Sequence, residues 1–465
     1  LQKEKHLKKD LQIRHITMIS LGGVIGAGLF IGSGAVVHTA GPGALVSYAL
    51  AGLLVVFVMR MLGEMASAYP SSGSFATYAR EAIGPWAGYT IGWLYWFFWV
   101  IVIAIEATAG ASIIQYWLPG IPQWVLSLSL TILLTFTNVK SVKSFAEFEY
   151  WFSFIKVMTI VLFLGLGLAA LFGFVPGVDK PGLSNLINNG GFFPNGVGAV
   201  FLGITVVIFS FMGSEIIAIA AGESAEPTKA VRVATNSVIS RILIFYLGSI
   251  FVIVALLPWN SEDLLKSPFV AVLEHVGIPA GAQIMNVIVL TAVLSCLNSG
   301  LYTNSRMLYG MAQKGNAPKA FLKLNKNGVP VRAVLFGTFF AYIGVIFNYI
   351  SPDKVFLFLI NGSGGIALLV YLVIAFSHLR MRKKLEREKK GALPVKMWLF
   401  PYLTYFTIAG MCTILVAMFF IDSLRPQITM TLLIAVLIVV SYFLFYRNRP
   451  QLQEDVEPMN KSNAS

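Results

Sequence analysis

Long apolar runs set the terms for what this chain can fold into. Stretches of roughly 18 to 25 residues with few charges recur along it, the length an α-helix needs to cross about 30 Å of hydrocarbon. Twelve such spans are predicted, at approximately 15–37, 43–66, 86–116, 123–138, 149–173, 195–221, 234–258, 281–312, 332–350, 354–377, 398–421 and 428–446. They take up nearly all of the 465 residues, and the mean hydropathy of +0.77 is well above that of an ordinary soluble domain. The chain therefore reads as an all-α polytopic membrane protein with short connections, polar tails and no appended soluble domain.

Charge orients it. If residues 1–14 are cytoplasmic, twelve spans return the C-terminus to the same side, and about 28 of the 34 Lys and Arg fall on the inner side, including "RMRKKLEREKK". About four, Lys180, Lys266, Lys354 and Arg425, fall outside. The formal charge of +13 is thus explained by positive-inside topology rather than by a nucleic-acid surface. The first span is too long, and followed by too many others, to read as a cleaved signal peptide. Cys296 and Cys412 fall within spans and read as packing residues, with no disulfide or metal spacing.

The first span is interrupted by "GGVIGAGLFIGSG", although glycine costs about 1 kcal/mol against alanine inside a helix. Close helix packing explains spaced glycines on one face, as in Gly22 with Gly26 or Gly28 with Gly32, but these glycines lie on several faces. A second interruption follows five spans later, where Ser210, Gly213, Ser214 and Glu215 break the sixth span. Two broken spans at matching positions point to an inverted repeat of spans 1–5 and 6–10, with the last two peripheral. Backbone freed by unwinding must face a cavity or its counterpart. Half-helix N-termini suit a carboxylate and half-helix C-termini an ammonium, which together describe a site for a zwitterion.

Three ionisable residues are predicted deep within spans: Glu106, Lys156 and Glu215. Such groups are costly in hydrocarbon and mark pathways. Glu106 is either a protonated carboxyl bonded to a neighbouring helix or a group that pairs with a substrate amine or carries a proton. Lys156 either exchanges a proton during transport or serves as a static counter-ion to Glu106 or Glu215. Glu215 either caps the broken sixth span or takes part in the chemistry of transport. Phe209 and Phe211 flank the second break, where they can lie over a ligand as a lid. The aromatic run at 93–99 reads as packing, and Arg60, Glu64 and Arg306 read as interface or gate residues at inner span ends. No Walker A, G-x-S-x-G, HExxH or dinucleotide fingerprint occurs, so neither an enzyme nor an ATP-driven pump is expected, and no cofactor or metal.

Four stretches, "GGVIGAGLFIGSG", "GEMASAYPSSGSFATYAREAIGPWAGYTIGWLYW", "FSFMGSEIIAIAAGESAEP" and "SCLNSGLYTNSRMLYGMAQKGNAP", resemble the amino-acid permeases of the amino acid/polyamine/organocation superfamily. The stretch "GWLYWFFWVIVIAIEA" resembles most closely their bacterial γ-aminobutyrate group. The resemblance implies a LeuT-type 5+5 inverted repeat with discontinuous helices 1 and 6. It divides the chain into a cytoplasmic tail (1–14), a transport core of helices 1–10 (15–378), a basic cytoplasmic loop (379–397), helices 11 and 12 (398–447) and a second cytoplasmic tail (448–465).

It further implies a substrate carboxylate on the N–H groups of Gly26, Ala27 and Gly28, with the amine on carbonyls of Val24 or Ile25 and of Phe209 and Met212. Relatives place a hydroxyl residue where this chain has Ala27, so backbone alone holds the carboxylate here. Lys156 matches a lysine that replaces sodium in proton-coupled relatives. It would bond carbonyls near Gly22 and Gly23 when charged and release them when neutral, making Gly22, Gly23 and Gly213 hinges and Lys156 and Glu215 the proton-coupling groups. In γ-aminobutyrate the amine is farther from the carboxylate than in an α-amino acid, and Glu106 is expected as that distant partner. The resulting expectation is a proton-coupled symporter of the cell membrane importing γ-aminobutyrate or a neutral amino acid by alternating access, without an obligate protein partner. An amino-acid exchanger and a non-transporting nutrient sensor are the other readings.

Overall fold

The computed structural model describes residues 12–22, 25–71, 73–177, 182–224, 226–350, 352–388 and 393–447. Among the described residues the regular elements are helical and no extended strand forms. The first apolar stretch is cut into α1 (Ile13–Gly22), α2 (Ala27–Phe30) and α3 (Gly32–Ala40), and Gly41, at φ +61°, ends α3 against the Pro194 ring. A turn at Gly41–Gly43 leads into α4 (Ala44–Ala68), followed by the short α5 (Ser74–Ala82). Then come α6 (Pro85–Gln115), α7 (Gln123–Lys140) and α8 (Val142–Leu171).

The apolar stretch Gly196–Ala220 is again cut, into α9 (Gly196–Phe211) and α10 (Ile216–Ala220). Beyond it, α11 (Pro227–Ser240) continues through a π-helical turn, Arg241–Leu247, into α12 (Gly248–Leu256), and two short helices follow, α13 (Asp263–Lys266) and α14 (Pro268–His275). The remaining helices are α15 (Gly281–Gln313), α16 (Val331–Ile350), α17 (Pro352–Glu388), α18 (Tyr402–Phe420) and α19 (Arg425–Ser441). Proline opens α6, α11 and α14, where its missing N–H costs no helical bond.

Among the described residues nine helical stretches are long and apolar enough to cross a membrane. Burial sorts them into layers. The apolar window of α6 is 83% buried and that of α19 only 17%. The centre is the crossing of α6 with α15, where Gly300 lets the backbone of α15 approach closely, since a Cβ there would stand 3.0 Å from both Trp99 and Ile103. Outward-facing Phe136, Leu162, Phe420 and Leu444 are mostly exposed, an apolar surface that a bilayer covers and water would not.

Candidate functional site

The two interruptions meet. At the first, α1 stops at Gly22 and α2 starts at Ala27 with Gly26 as its N-cap in extended conformation. At the second, α9 ends in extended Met212, Gly213 turns at φ +100°, a conformation that favours glycine, and Glu215 caps α10. Glycine at the first break is required by proximity. A Cβ on Gly28 would lie 2.8 Å from Ser210 Oγ, and one on Gly26 would lie 2.7 Å from Glu106 Oε1 and 2.9 Å from Cys296 Cβ.

Between the breaks lies a cavity of about 10 Å³, room for about one water molecule. The first break contributes Gly26 and Gly28, and α9 with its C-cap contributes Phe209, Ser210 and Met212. From α6 come Phe98, Trp99 and Glu106, and from α15 Cys296. Glu106 is 1% exposed, and both its oxygens accept from the Ala27 N–H at 3.3 Å. A carboxylate there satisfies one of the donors orphaned at a helix start.

Lys156 of α8 is fully buried and donates to the Ile25 carbonyl at 3.1 Å and to Ser295 Oγ at 2.7 Å. Ser295 in turn donates to Glu149 Oε1 at 2.5 Å, and Ser153 donates to the same oxygen at 3.2 Å. Glu215 stands apart from the cavity. Its carboxylate accepts from Tyr95 Oη at 2.8 Å, Tyr371 Oη at 3.1 Å and the Gly213 N–H at 2.9 Å, which ties the second break to α6 and α17.

The end of the bundle where α1 begins is closed by polar ties. Arg14 donates to Glu147 at 2.8 Å. Arg306 and Tyr302 of α15 both donate to Glu223, at 2.9 and 2.8 Å, and Tyr302 stacks on Phe145 at the start of α8. Glu64 of α4 accepts from Arg382 of α17 and from the Met397 N–H at 2.7 Å. One turn away on α4, Arg60 donates twice to the Lys396 carbonyl and covers the Trp398 ring.

The expected positions divide among several places. Gly23 and Val24 lie outside the described residues, and Gly22 is placed only as the last residue of α1. Lys156 reaches the Ile25 carbonyl, so the group expected to meet a substrate amine is held by the lysine. Glu106, expected as the partner of a distant amine, accepts instead from the Ala27 amide. Phe209 lines the cavity, but Phe211 turns away from it onto Tyr246, with ring centroids 4.6 Å apart, and Tyr48.

Glu106, Lys156 and Glu215 are buried, and other charges join them. Glu64, Glu149, Glu223, Arg241, Arg306, His378 and Arg382 are buried as well, and packing supplies partners from other segments, Arg382 for Glu64, Ser295 for Glu149, Arg306 for Glu223 and Ser214 for Arg241, which lowers the cost of burial. Glu149 carried a readable signal, since with Ser153 and Lys156 it repeats at helical spacing on one face of α8. The wall formed by Phe98 and Trp99, read as packing alone, carried none.

Residues 15–454 match the family described as amino acid permease. A γ-aminobutyric acid permease of Bacillus subtilis (strain 168) is 64% identical over 460 residues, covering 99% of this chain and 98% of the relative. Another γ-aminobutyric acid permease, from Escherichia coli (strain K12), is 51% identical over 92% of each chain. A probable threonine/serine transporter of Bacillus subtilis (strain 168) is 42% identical over 95% of this chain and 96% of its own.

Proposed function

This chain belongs to the amino acid permease family, whose members are multi-pass membrane transporters and not enzymes, and from that premise we propose that it imports γ-aminobutyrate with a proton by alternating access. The substrate assignment rests on the two γ-aminobutyric acid permeases, which stand well above the threonine/serine relative in identity. The observation that carries the mechanism is the cavity closed between two broken helices, with a buried carboxylate and a buried ammonium on the same break.

Twelve crossings in a LeuT-type 5+5 repeat are supported by several features. The stretch Ala27–Ala68, 42 residues, folds back at Gly41–Gly43 and so accounts for two crossings with α1. The 18 residues of α7 and the apolar Val331–Phe347 supply the others beyond the long stretches. Breaks in the first and sixth spans that share one cavity suit an inverted repeat. The core is then 15–378, with the basic loop 379–397 and both tails, 1–14 and 448–465, on the cytoplasmic side and helices 11 and 12, 398–447, at the periphery, as the asymmetry of Lys and Arg supports.

In this reading the substrate carboxylate seats on the N–H groups of Gly26 to Gly28. Glu106 now occupies the Ala27 amide, and two anions cannot share it, so Glu106 yields the seat when it takes a proton. The amine meets carbonyls of Phe209 and Met212 at the second break, where the Phe209 carbonyl already accepts from the Met212 N–H at 3.1 Å. Lys156 holds the Ile25 carbonyl while charged and frees it when neutral, linking the proton to the inner half of the first span, with Gly22, Gly23 and Gly213 as hinges. Glu215 keeps the second break in register with α6 and α17 as this happens.

Because the cavity holds only about one water, an amino acid enters only when the breaks part. The test is uptake of labelled γ-aminobutyrate by purified protein in proteoliposomes, with an imposed pH gradient and a panel of unlabelled amino acids as competitors. Accumulation driven by the gradient and competed best by γ-aminobutyrate is expected. Uptake that ignores the gradient and needs amino acid inside would make the protein an exchanger.

A further inference from the structure

We propose that Glu149 is the proton acceptor for Lys156, reached through the hydroxyl of Ser295. The proposal rests on the proton-coupled reading given above and adds the route by which Lys156 discharges. Glu149, Ser153, Lys156 and Ser295 are all fully buried. The face of α8 that carries the first three packs against α1 and α15. The seven-position step from Glu149 to Lys156 sets the Cα of Glu149 about 10 Å nearer the start of α8 at 1.5 Å per residue, while the two side chains converge on Ser295. That end of α8 carries the Arg14–Glu147 pair and, by the distribution of Lys and Arg, faces the cytoplasm.

The donors point one way. Lys156 Nζ donates to Ser295 Oγ at 2.7 Å, and Ser295 Oγ donates to Glu149 Oε1 at 2.5 Å. Glu149 Oε2 is buried with no hydrogen-bond partner among the described residues. Glu64 Oε1 and Glu223 Oε2 are unpartnered in the same way, but those carboxylates each take an arginine directly, whereas Glu149 is joined to the Lys156 ammonium through a hydroxyl that both donates and accepts. As a proton acceptor Glu149 changes charge within the cycle and needs its second oxygen only part of the time.

The transfer balances. The Nζ–H bond breaks as its proton binds Ser295 Oγ, while the proton already on that oxygen passes to Glu149 Oε1. Ammonium and carboxylate become amine and carboxylic acid, Ser295 ends as it began, and Nζ loosens its hold on the Ile25 carbonyl. The other titratable groups facing Lys156 are Glu106 of α6 and Cys296 of α15, both on the cavity side. Neither lies toward the start of α8.

The test compares two assays on full-length protein in proteoliposomes, both with labelled γ-aminobutyrate: net uptake driven by a pH gradient, and counterflow, which exchanges substrate without a net proton cycle. Glu149→Gln should lower net uptake by about a hundredfold, the low end for proton transfer by a positioned group, and leave counterflow within about twofold. Ser295→Ala should split the two assays in the same direction, and Glu149→Asp, which keeps an acid, should recover net uptake relative to Glu149→Gln. Net uptake by Glu149→Gln within about twofold of the unmodified protein overturns the relay, as does an equal loss in both assays, which makes Glu149 a structural counter-ion. If the unmodified protein shows no gradient-driven uptake, it is the proton-coupled reading that fails.

Discussion

Substituting Gly28 by alanine tests whether the two breaks must touch for transport to proceed. The added Cβ would lie 2.8 Å from Ser210 Oγ and 2.9 Å from Ser210 Cα. The hydroxyl can rotate away, but the Cα belongs to the backbone of α9. Carbon–carbon contacts become favourable at about 3.5 Å, so α2 and α9 must part by about 0.6 Å, the difference between 3.5 and 2.9 Å. Overpacking of this kind costs about 1–3 kcal/mol, and it falls on the closed arrangement in which the breaks are in contact. If every transport cycle passes through that arrangement, its population drops by about 5- to 150-fold at 1.4 kcal/mol per decade. The initial rate of labelled γ-aminobutyrate uptake should fall by that factor. Gly198→Ala on α9 is the control, since nothing lies within 4 Å of its Cβ position. A Gly28→Ala rate within about twofold of the unmodified protein would refute the reasoning, because it would leave no room for the overlap energy.

Three other perturbations address the charges. Arg306→Met strands Glu223 in the interior and should destabilise the protein by about 3–5 kcal/mol, read as earlier thermal inactivation in detergent, while adding Glu223→Met should restore most of the loss; a neutral single variant would mean the pair is not structural. Lys156→Ala should abolish accumulation driven by a pH gradient, and undiminished accumulation would remove Lys156 from the coupling. Glu106→Gln should flatten the pH dependence of binding, measured by competition, for γ-aminobutyrate and alanine alike. A loss confined to γ-aminobutyrate would put Glu106 beside the distant amine after all.

Much of the architecture was legible because it is local. An apolar run long enough to span, a glycine cluster inside it and lysines beside it each lie within a few turns of helix, and hydropathy and propensity act on that scale. So the helical class, the two interruptions and the family resemblance could all be read along the chain. Gly213 is a case in point: its φ of +100° is a demand that the residue type itself announces.

What the chain alone does not disclose is which distant group meets which. Glu106 lies 79 residues from the amide it caps, and Ser295 lies 146 residues from the carboxylate it serves. Phe209 and Phe211 show the limit most simply, since two similar residues beside one break face opposite ways, one to the cavity and one to Tyr246. The sequence by itself determined that this is a helical membrane protein of the permease family with two interrupted apolar stretches. Only the tertiary structure decided that Glu106 takes the Ala27 amide, that Lys156 holds Ile25 and that Glu149 stands behind Ser295. Burying a charge is favourable only when another helix delivers its partner, and that delivery is a property of packing rather than of any stretch of chain.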